Sequence, residues 1–553
     1  MNKTRTMILI TLLVISAVVI LLLILPINKN ATNTKETHVL STGQQLVMDS
    51  EYDITLLDTK TKEYVFGVKD IETNYRVNGE STLTIVERIL PQEDLFLFFK
   101  WHDEAEHEER SRDRAVEFPK KIEFTLPVLG ANKFGVNSFS ALDIDRPHDN
   151  TVGVDETTYP NGLINFMKSE EHVQDVVLGK NYVSKKLVKQ YEDESKSFIR
   201  QLFRERSSYT ISQTETQSDL IFDMVFDDGY ISEQWLLMSD HLLFEDKQEL
   251  IDFIQISNEQ YRRVNEWYTA EGVYSKLPWS VEPFAEEGYG RNLNYYKENT
   301  IIKLYRGNKE RYYYNFLVNS LVNFENHEKN EANLLETHYT STWLKKDYGT
   351  TAPYIDSRHN ELGAIYINSL VEELGLSFSY DPMLAYANFL LEQEKLNNII
   401  RISEDAYLIA DYYDPSENAQ LTHVSLNHVL GIMNLLLKVY LKTEDEAYLD
   451  VATKIHLALM ETKEQWIRED GDLWYQINAN FEFDGRDYPL VTLEDLIASE
   501  NLWQTVRNSS DRLYGELISS KIGYLLSENV VISDRIKSEL TKANYDLKQL
   551  RLD

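Results

Sequence analysis

From position 44 to about 240, apolar and polar residues alternate in short runs. Tyr52-Asp53-Ile54-Thr55-Leu56-Leu57, Ser81-Thr82-Leu83-Thr84-Ile85-Val86, Asp94-Leu95-Phe96-Leu97-Phe98-Phe99 and Lys121-Ile122-Glu123-Phe124-Thr125-Leu126 are the clearest. A period of two with β-branched and aromatic residues predicts strands, and their number predicts a β-rich, sandwich-like domain over 44–240. From about Phe244 the period lengthens to that of a helix. It predicts helices over 248–267, 309–325, 331–347, 357–374, 382–396, 424–441, 444–466, 493–506, 511–526 and 533–547. Alternating short and long connections predict helical hairpins closing into an all-α α/α-toroid over 241–553.

Within that half, Val429 to Leu441 is apolar on nearly every face of a helical turn, which predicts an inner helix buried on all sides. In the next helix Tyr448, Leu449, Ala452, Ile455 and Leu459 recur on one side only, which predicts an outer helix. Thr443-Glu444-Asp445-Glu446 between them matches a capping box. Beyond, Asp470-Gly471 predicts a turn and Trp474-Tyr475 an aromatic segment fit to line a groove.

Residues 7–25 form an apolar run with only Thr11 and Ser16 as mildly polar members, preceded by Lys3 and Arg5. That length and flank predict a transmembrane signal anchor (1–27), the N-terminus in the cytoplasm and the bulk of the chain extracellular. Residues 28–43 read as a polar linker. The chain has no cysteine, which removes disulfides, thiolate metal sites and cysteine nucleophiles, and fits an exported protein of a Gram-positive bacterium. A net charge of −34 argues against nucleic acid as a partner, since that needs clustered cations. The acidic tract 103–109, answered by Arg110, Arg112 and Arg114, reads as a solvated loop. Asp143, Asp145, Asp149 and Asp155 crowd one loop without EF-hand spacing. With 34 tyrosines and eight tryptophans, sugar-stacking surfaces are one explanation of the aromatic content, and half-buried packing the other.

Three stretches carry a resemblance. Leu426-Asn427 opens the inner helix, with His428 next; Gly471-Asp472-Leu473-Trp474-Tyr475-Gln476-Ile477-Asn478 follows the outer helix; Asp487-Tyr488 lies beyond. Over about 416–496 this layout resembles the C-terminal α/α-toroid domain of the D-glucuronyl C5-epimerase family. In that family the inner helix opens Leu-Asn-Gly, so His428 replaces the glycine, and Asn478 stands where an arginine belongs. The resemblance implies Tyr488 as the catalytic tyrosine, Glu417 at a distance similar to that of the catalytic glutamate, and Asn427, Trp474 and Tyr475 beside the substrate. Asp356-Ser357-Arg358-His359, with Leu362-Gly363 beyond, is similar to a further family string but lies before the Leu-Asn stretch.

On chemistry alone, Asp356 can cap a helix that presents Arg358 and His359, and Arg358 could grip a carboxylate in two-pronged geometry. Pairing of Arg358 with a nearby acid is the competing reading. The aromatic stretch Tyr289-Gly290-Arg291 is a further candidate for substrate contact. Inverting C5 of a uronate needs one group to remove the proton and another to return it, with a cation on the carboxylate. Glu417, Tyr488 and Arg358 meet those needs without a metal or cofactor. His423 and His428 are five apart and off a common helical face, so they do not read as a metal pair. The leading expectation is therefore a membrane-anchored extracellular protein acting on uronate residues of a polysaccharide. A non-catalytic glycan-binding or envelope-assembly protein, a uronate lyase and a hydrolase remain open, as does a homodimer.

Overall fold

The computed structural model describes residues 34–103, 118–139, 160–261, 266–291 and 299–552. The span at 7–25, nearly all of the acidic tract and the aspartate loop at 143–155 lie outside the described residues, and among those described no helix is long and apolar enough to cross a membrane.

The expected alternation builds two antiparallel sheets. A five-stranded sheet runs in the order Thr34–Val39, Gln45–Ser50, Lys120–Leu129, Gln217–Phe226, Tyr209–Gln213. Its first strand falls inside the stretch read as linker. A 13-stranded sheet holds Ile54–Glu63, Lys69–Val77, Ser81–Ile89, Leu95–Asp103 and Ile231–Ser239 as consecutive neighbours. Alternate residues of the two sheets interdigitate: Leu83, Ile85, Leu97, Phe99 and Trp101 meet Phe124, Leu126, Phe222 and Met224 in one core, the sandwich expected from the period of two.

The reading of everything beyond 240 as all-α is corrected by the structure, which is mixed there. Glu266–Thr269, Gly272–Lys276 and Gly288–Arg291 are strands that extend the large sheet. Trp267, Tyr268, Tyr274 and Tyr289 are β-favouring aromatic residues, and each fills a buried position there. Short two- and three-stranded ribbons also link the helices, at Thr340–Ser341, Ile355–Asp356, Ile399–Ser403, Ala406–Ile409, Tyr412–Tyr413, Val424–Ser425, Trp474–Ile477 and Phe483–Arg486. They escape a helical-period reading because two to five residues are too few to show any period.

The described helices are α1 (Lys247–Tyr261), α2 (Asn299–Gly307), α3 (Arg311–Glu325), α4 (Thr342–Tyr348), α5 (Ser357–Leu374), α6 (Pro382–Leu391), α7 (Leu426–Thr443), α8 (Glu446–Glu461), α9 (Val491–Arg507), α10 (Gly515–Ser527) and α11 (Asp534–Lys542). α3, α5, α7 and α9 form an inner row, each packed on the next, with α6 and α8 behind α7 and with α10 and α11 against α9. α7 is buried along its length from Leu426 to Leu437, as its all-apolar pattern predicts, whereas α8 buries only one side. The capping box does not form. Thr443 instead donates back to the Val439 carbonyl, Glu444 adopts φ 59°, and Asp445 caps α8 by accepting from the Ala447 amide at 3.0 Å.

The helical half rests on the face of the large sheet opposite the five-stranded one. Phe316 of α3 packs edge-on against Phe96 and Trp235, with ring centroids 5.4 and 6.0 Å away. Arg88, fully buried in the sheet, donates to Asp70 at 2.9 and 2.8 Å, to Asn319 of α3 at 2.7 Å and to the Ala270 carbonyl at 2.9 Å. With its donors satisfied on both sides, the guanidinium pins the sheet to the inner helices without leaving an uncompensated charge.

Candidate functional site

The ribbons gather the N-terminal ends of α5 and α7. Ile355–Asp356 pairs with Tyr412–Tyr413, and Val424–Ser425 pairs with Trp474–Ile477. Asp411, just before the first ribbon partner, is fully buried and collects donors from both helix starts. It accepts the Ser425 amide at 2.8 Å and the Ser425 hydroxyl, and His423 Nε2 lies 3.2 Å from it. Burial opposes its ionisation, but His428, His423 and Ser425 outweigh that cost and hold its carboxyl below the usual carboxylate range.

His423 belongs to this framework: its Nδ1 meets the Tyr348 hydroxyl at 3.1 Å, and its enclosed Nε2 stands beside Asp411 without a formed hydrogen bond. His428, in the first turn of α7, is different. Its Nδ1 lies 2.9 Å from Ser357 Oγ and 3.6 Å from Asp411. Its Nε2 has no hydrogen-bond partner among the described residues and is not among the enclosed polar atoms. Nδ1 faces a hydroxyl and, further off, a carboxylate, and the tautomer that donates from Nδ1 leaves Nε2 as an acceptor. Asp411, Ser357 and His428 thus form a backed, oriented imidazole.

Aromatic rings surround it. Trp343 contacts Tyr412 at 5.8 Å and His423 at 5.6 Å, Tyr412 contacts His428 at 6.1 Å, His423 contacts Tyr475 at 6.2 Å, and Tyr475 carries Tyr488 edge-on at 5.6 Å. The track is open at both ends, where Trp343 is 37% and Tyr488 51% exposed. Burial, and then the neighbouring carboxylates, push the Tyr412 and Tyr475 hydroxyls well above the ordinary phenol range, so both remain donors at neutral pH. The half-buried and exposed rings of Trp343, Tyr412, Tyr475 and Tyr488, joined through the buried His423, offer faces on which sugar rings can stack.

The candidates named from sequence are scattered over five places. Tyr475 and Tyr488 are on the track. Asp356 caps α5 by accepting the His359 amide at 3.0 Å, and the half-buried His359 ring stands 3.8 Å from it. Arg358 is paired: it donates to Asp495 of α9 at 2.8 Å and to the Asn427 carbonyl at 3.2 Å, and lies 3.2 Å from Glu361. Gly431 makes room for it, because a Cβ there would lie 2.2 Å from the guanidinium. Asn427 is buried beneath, its Oδ1 enclosed without a partner. Trp474 faces away from Tyr475, as adjacent strand residues must, and packs on the helical core and on Arg468 at 4.9 Å. Glu417 is exposed in the loop after the Tyr412–Tyr413 ribbon. Tyr289 and Arg291 belong to the large sheet, Tyr289 in a cluster with Trp267 and Tyr274, and Arg291 donating to Glu328 at 2.6 Å.

Asp411, Ser357 and His428 were not named as functional from sequence. The signal for His428 was present as the replaced glycine after Leu426-Asn427; Asp411 and Ser357 carry none, being brought in by ribbons too short to read. No group of three or more histidine and acidic side chains placed to hold a metal occurs among the described residues.

The Arg358 cluster has a pH consequence. Burial raises the Asp495 carboxyl to about 7 even though Arg358 pulls it down, with Glu361 and Glu494 adding to the rise. The unfolded carboxyl titrates near about 3.9, so between these values the folded chain holds a proton that the unfolded chain has lost. Stability is therefore expected to fall as pH rises through that window, and to fall less in Asp495→Asn. Denaturant midpoints measured across the window would refute this if both proteins followed the same curve.

No protein-family model matches the chain, the D-glucuronyl C5-epimerase family included, and no curated protein matches it. Solved structures similar to it include a family 105 glycoside hydrolase from C. acetobutylicum (13% identity, 43% of this chain and 64% of that one, TM-score 0.32). Others are a cellobiose 2-epimerase from Bacillus thermoamylovorans (12%, 44% and 62%, 0.33) and a D-mannose isomerase (16%, 44% and 60%, 0.30). The chain spans less than two thirds of the length of each of these three.

Proposed function

We propose that the chain is a carbohydrate-active enzyme that moves a proton at a sugar carbon, with His428 as the base. The observation that carries this reading is the Asp411-backed imidazole set in an aromatic track. His428 Nε2 takes the proton from the carbon beside the sugar's carboxylate or carbonyl. The resulting enolate is quenched by a proton from a tyrosine hydroxyl of the track, for which Tyr488, exposed at its end, is the candidate. The sugar leaves with its oxidation state unchanged and one centre inverted. Solvent restores both side chains.

The uronate form of this reading, which the sequence layout implies, needs a cation for the substrate carboxylate. Arg358 is already held by Asp495 and Glu361, which favours a substrate without that carboxylate. The same engagement of Arg358, with Glu417 exposed in its loop, favours a second reading in which the groove binds glycan without turnover. Incubation in heavy water with reducing sugars, neutral oligosaccharides and uronate oligosaccharides separates these. Deuterium is expected at a single sugar carbon of one class; binding on the track with no incorporation in any class would leave the binding reading and overturn the enzymatic one.

A further inference from the structure

We propose that the large sheet carries a second glycan site, a cleft that takes a neutral, polyhydroxylated sugar unit and shares no residue with the aromatic track. The cleft has a volume of about 520 Å³, the size of an ordinary small-ligand pocket. Its floor is one face of neighbouring strands. Asn74 stands opposite Thr84, Thr84 opposite Lys100, and Lys100 opposite Glu233, so four polar side chains form a row across the sheet. Strands lie about 4.8 Å apart, so the row presents hydrogen-bonding groups at a spacing that neighbouring hydroxyls of a sugar ring can span.

Two residues further along the same strands the row becomes Val86, Phe98 and Trp235, which sit in the core beneath α3. The face thus changes from covered and apolar to uncovered and polar within one pleat. The turn at Glu271 walls the polar end, where Lys100 reaches it in an ion pair.

Two further features separate this cleft from a merely wetted sheet face. Thr82 and Glu233, 8% and 2% exposed, line it. Glu233 Oε2 accepts from Arg200 at 2.8 Å, but Glu233 Oε1 and Thr82 Oγ1 are enclosed with no hydrogen-bond partner. Each such group is destabilising while it lacks a partner, and a ligand hydroxyl that reaches it supplies one. Several of the charges are paired, Lys100 with Glu271, Glu233 with Arg200 and Lys60 with Asp58, while Glu72 and Arg76 also line the cleft. A site that sets charges of both signs beside hydroxyls and an amide recognises groups that both donate and accept, which is what sugar hydroxyls do.

The test uses saturation-transfer NMR on the full chain with two probes, neutral xylo-oligosaccharides and oligogalacturonides, and with Thr84→Trp, Lys100→Ala and Tyr488→Ala. Tyr488→Ala weakens the track, so neutral oligosaccharides are also measured on that background, where the binding that remains is expected to belong to the cleft. They should lose about tenfold in affinity in Lys100→Ala, the equivalent of one good hydrogen bond, and more in Thr84→Trp, which fills the cleft. Failure of the neutral probe to bind would overturn the proposal, as would binding indifferent to both cleft variants. Binding of the oligogalacturonides alone would transfer recognition to Arg76 at the cleft and overturn the neutral-sugar assignment. Failure of the track to turn over any sugar leaves this result unaffected, since the variants act on different surfaces.

Discussion

His428→Ala is expected to lower deuterium incorporation into the sugar by about a hundred- to ten-thousand-fold, the usual contribution of a positioned acid or base. The protein should still fold, because the imidazole makes one side-chain hydrogen bond, to Ser357, and the buried Asp411, though it loses one of the groups that hold it ionised, keeps Ser425 and His423. Asp411→Asn should lower the rate as well, by a different route. An amide cannot stabilise the imidazolium that forms when Nε2 takes a proton, and its NH₂ group can face the His428 Nδ1–H and turn the ring. Asp411→Asn also weakens the cradle for Ser425 and His423, so its melting temperature should drop further than that of His428→Ala. Glycan binding on the track separates the role of the base from a role in shape. Both variants should bind sugar through Trp343, Tyr475 and Tyr488 while failing to exchange deuterium. Exchange at the wild-type rate in a folded His428→Ala would remove His428 from the chemistry.

How far the sequence reveals this site depends on the length over which a pattern runs. The inner helix α7 was legible because some dozen residues share one environment, and the cap of α5 because Asp356 acts on its own next turn. Of the partners of Arg358, Glu361 lies one helical turn on, but Asp495 was not legible, because it lies 137 positions further on. The two histidines are off a common helical face, yet they converge on Asp411 because His423 precedes the helix and only His428 belongs to it. The helix expected over 331–347 shrinks to α4, and the one over 248–267 stops at Tyr261 and gives way to a strand. In both places aromatic residues satisfy either period, and tertiary pairing decides. The polar face of the large sheet was equally hidden, since outward polar residues of a strand read the same whether they face open water or a cleft.

Lys521→Met is expected to cost about 3–5 kcal/mol of stability, the range for removing one partner from a buried ion pair. Lys521 is fully buried on α10 and donates to Asp472 and Asp487 at 2.6 Å each. Thr492 donates to the other oxygen of Asp487 at 2.6 Å, so the lysine bridges the turn before Trp474 to the segment that carries Tyr488. Without the ammonium, two carboxylates remain in a dry site. Burial already raises the Asp487 carboxyl despite Lys521 pulling it down, so loss of the lysine raises it further. A group whose folded-state titration is raised holds its proton in the folded chain at pH values where the unfolded chain has released it. Lowering the pH therefore favours the folded variant, and the deficit of Lys521→Met should shrink as the solution is acidified from neutrality. A double replacement, Asp472→Asn with Asp487→Asn in the Lys521→Met background, should recover much of the loss at neutral pH, because no uncompensated charge is left. Denaturant titrations of the single and combined variants at neutral and mildly acidic pH test both statements. The account fails if the single variant is as stable as wild type, or if its deficit is the same at both pH values. Glycan binding measured alongside should weaken in Lys521→Met even below its unfolding transition, since Asp487 fixes the residue before Tyr488, and Tyr488 closes the open end of the aromatic track.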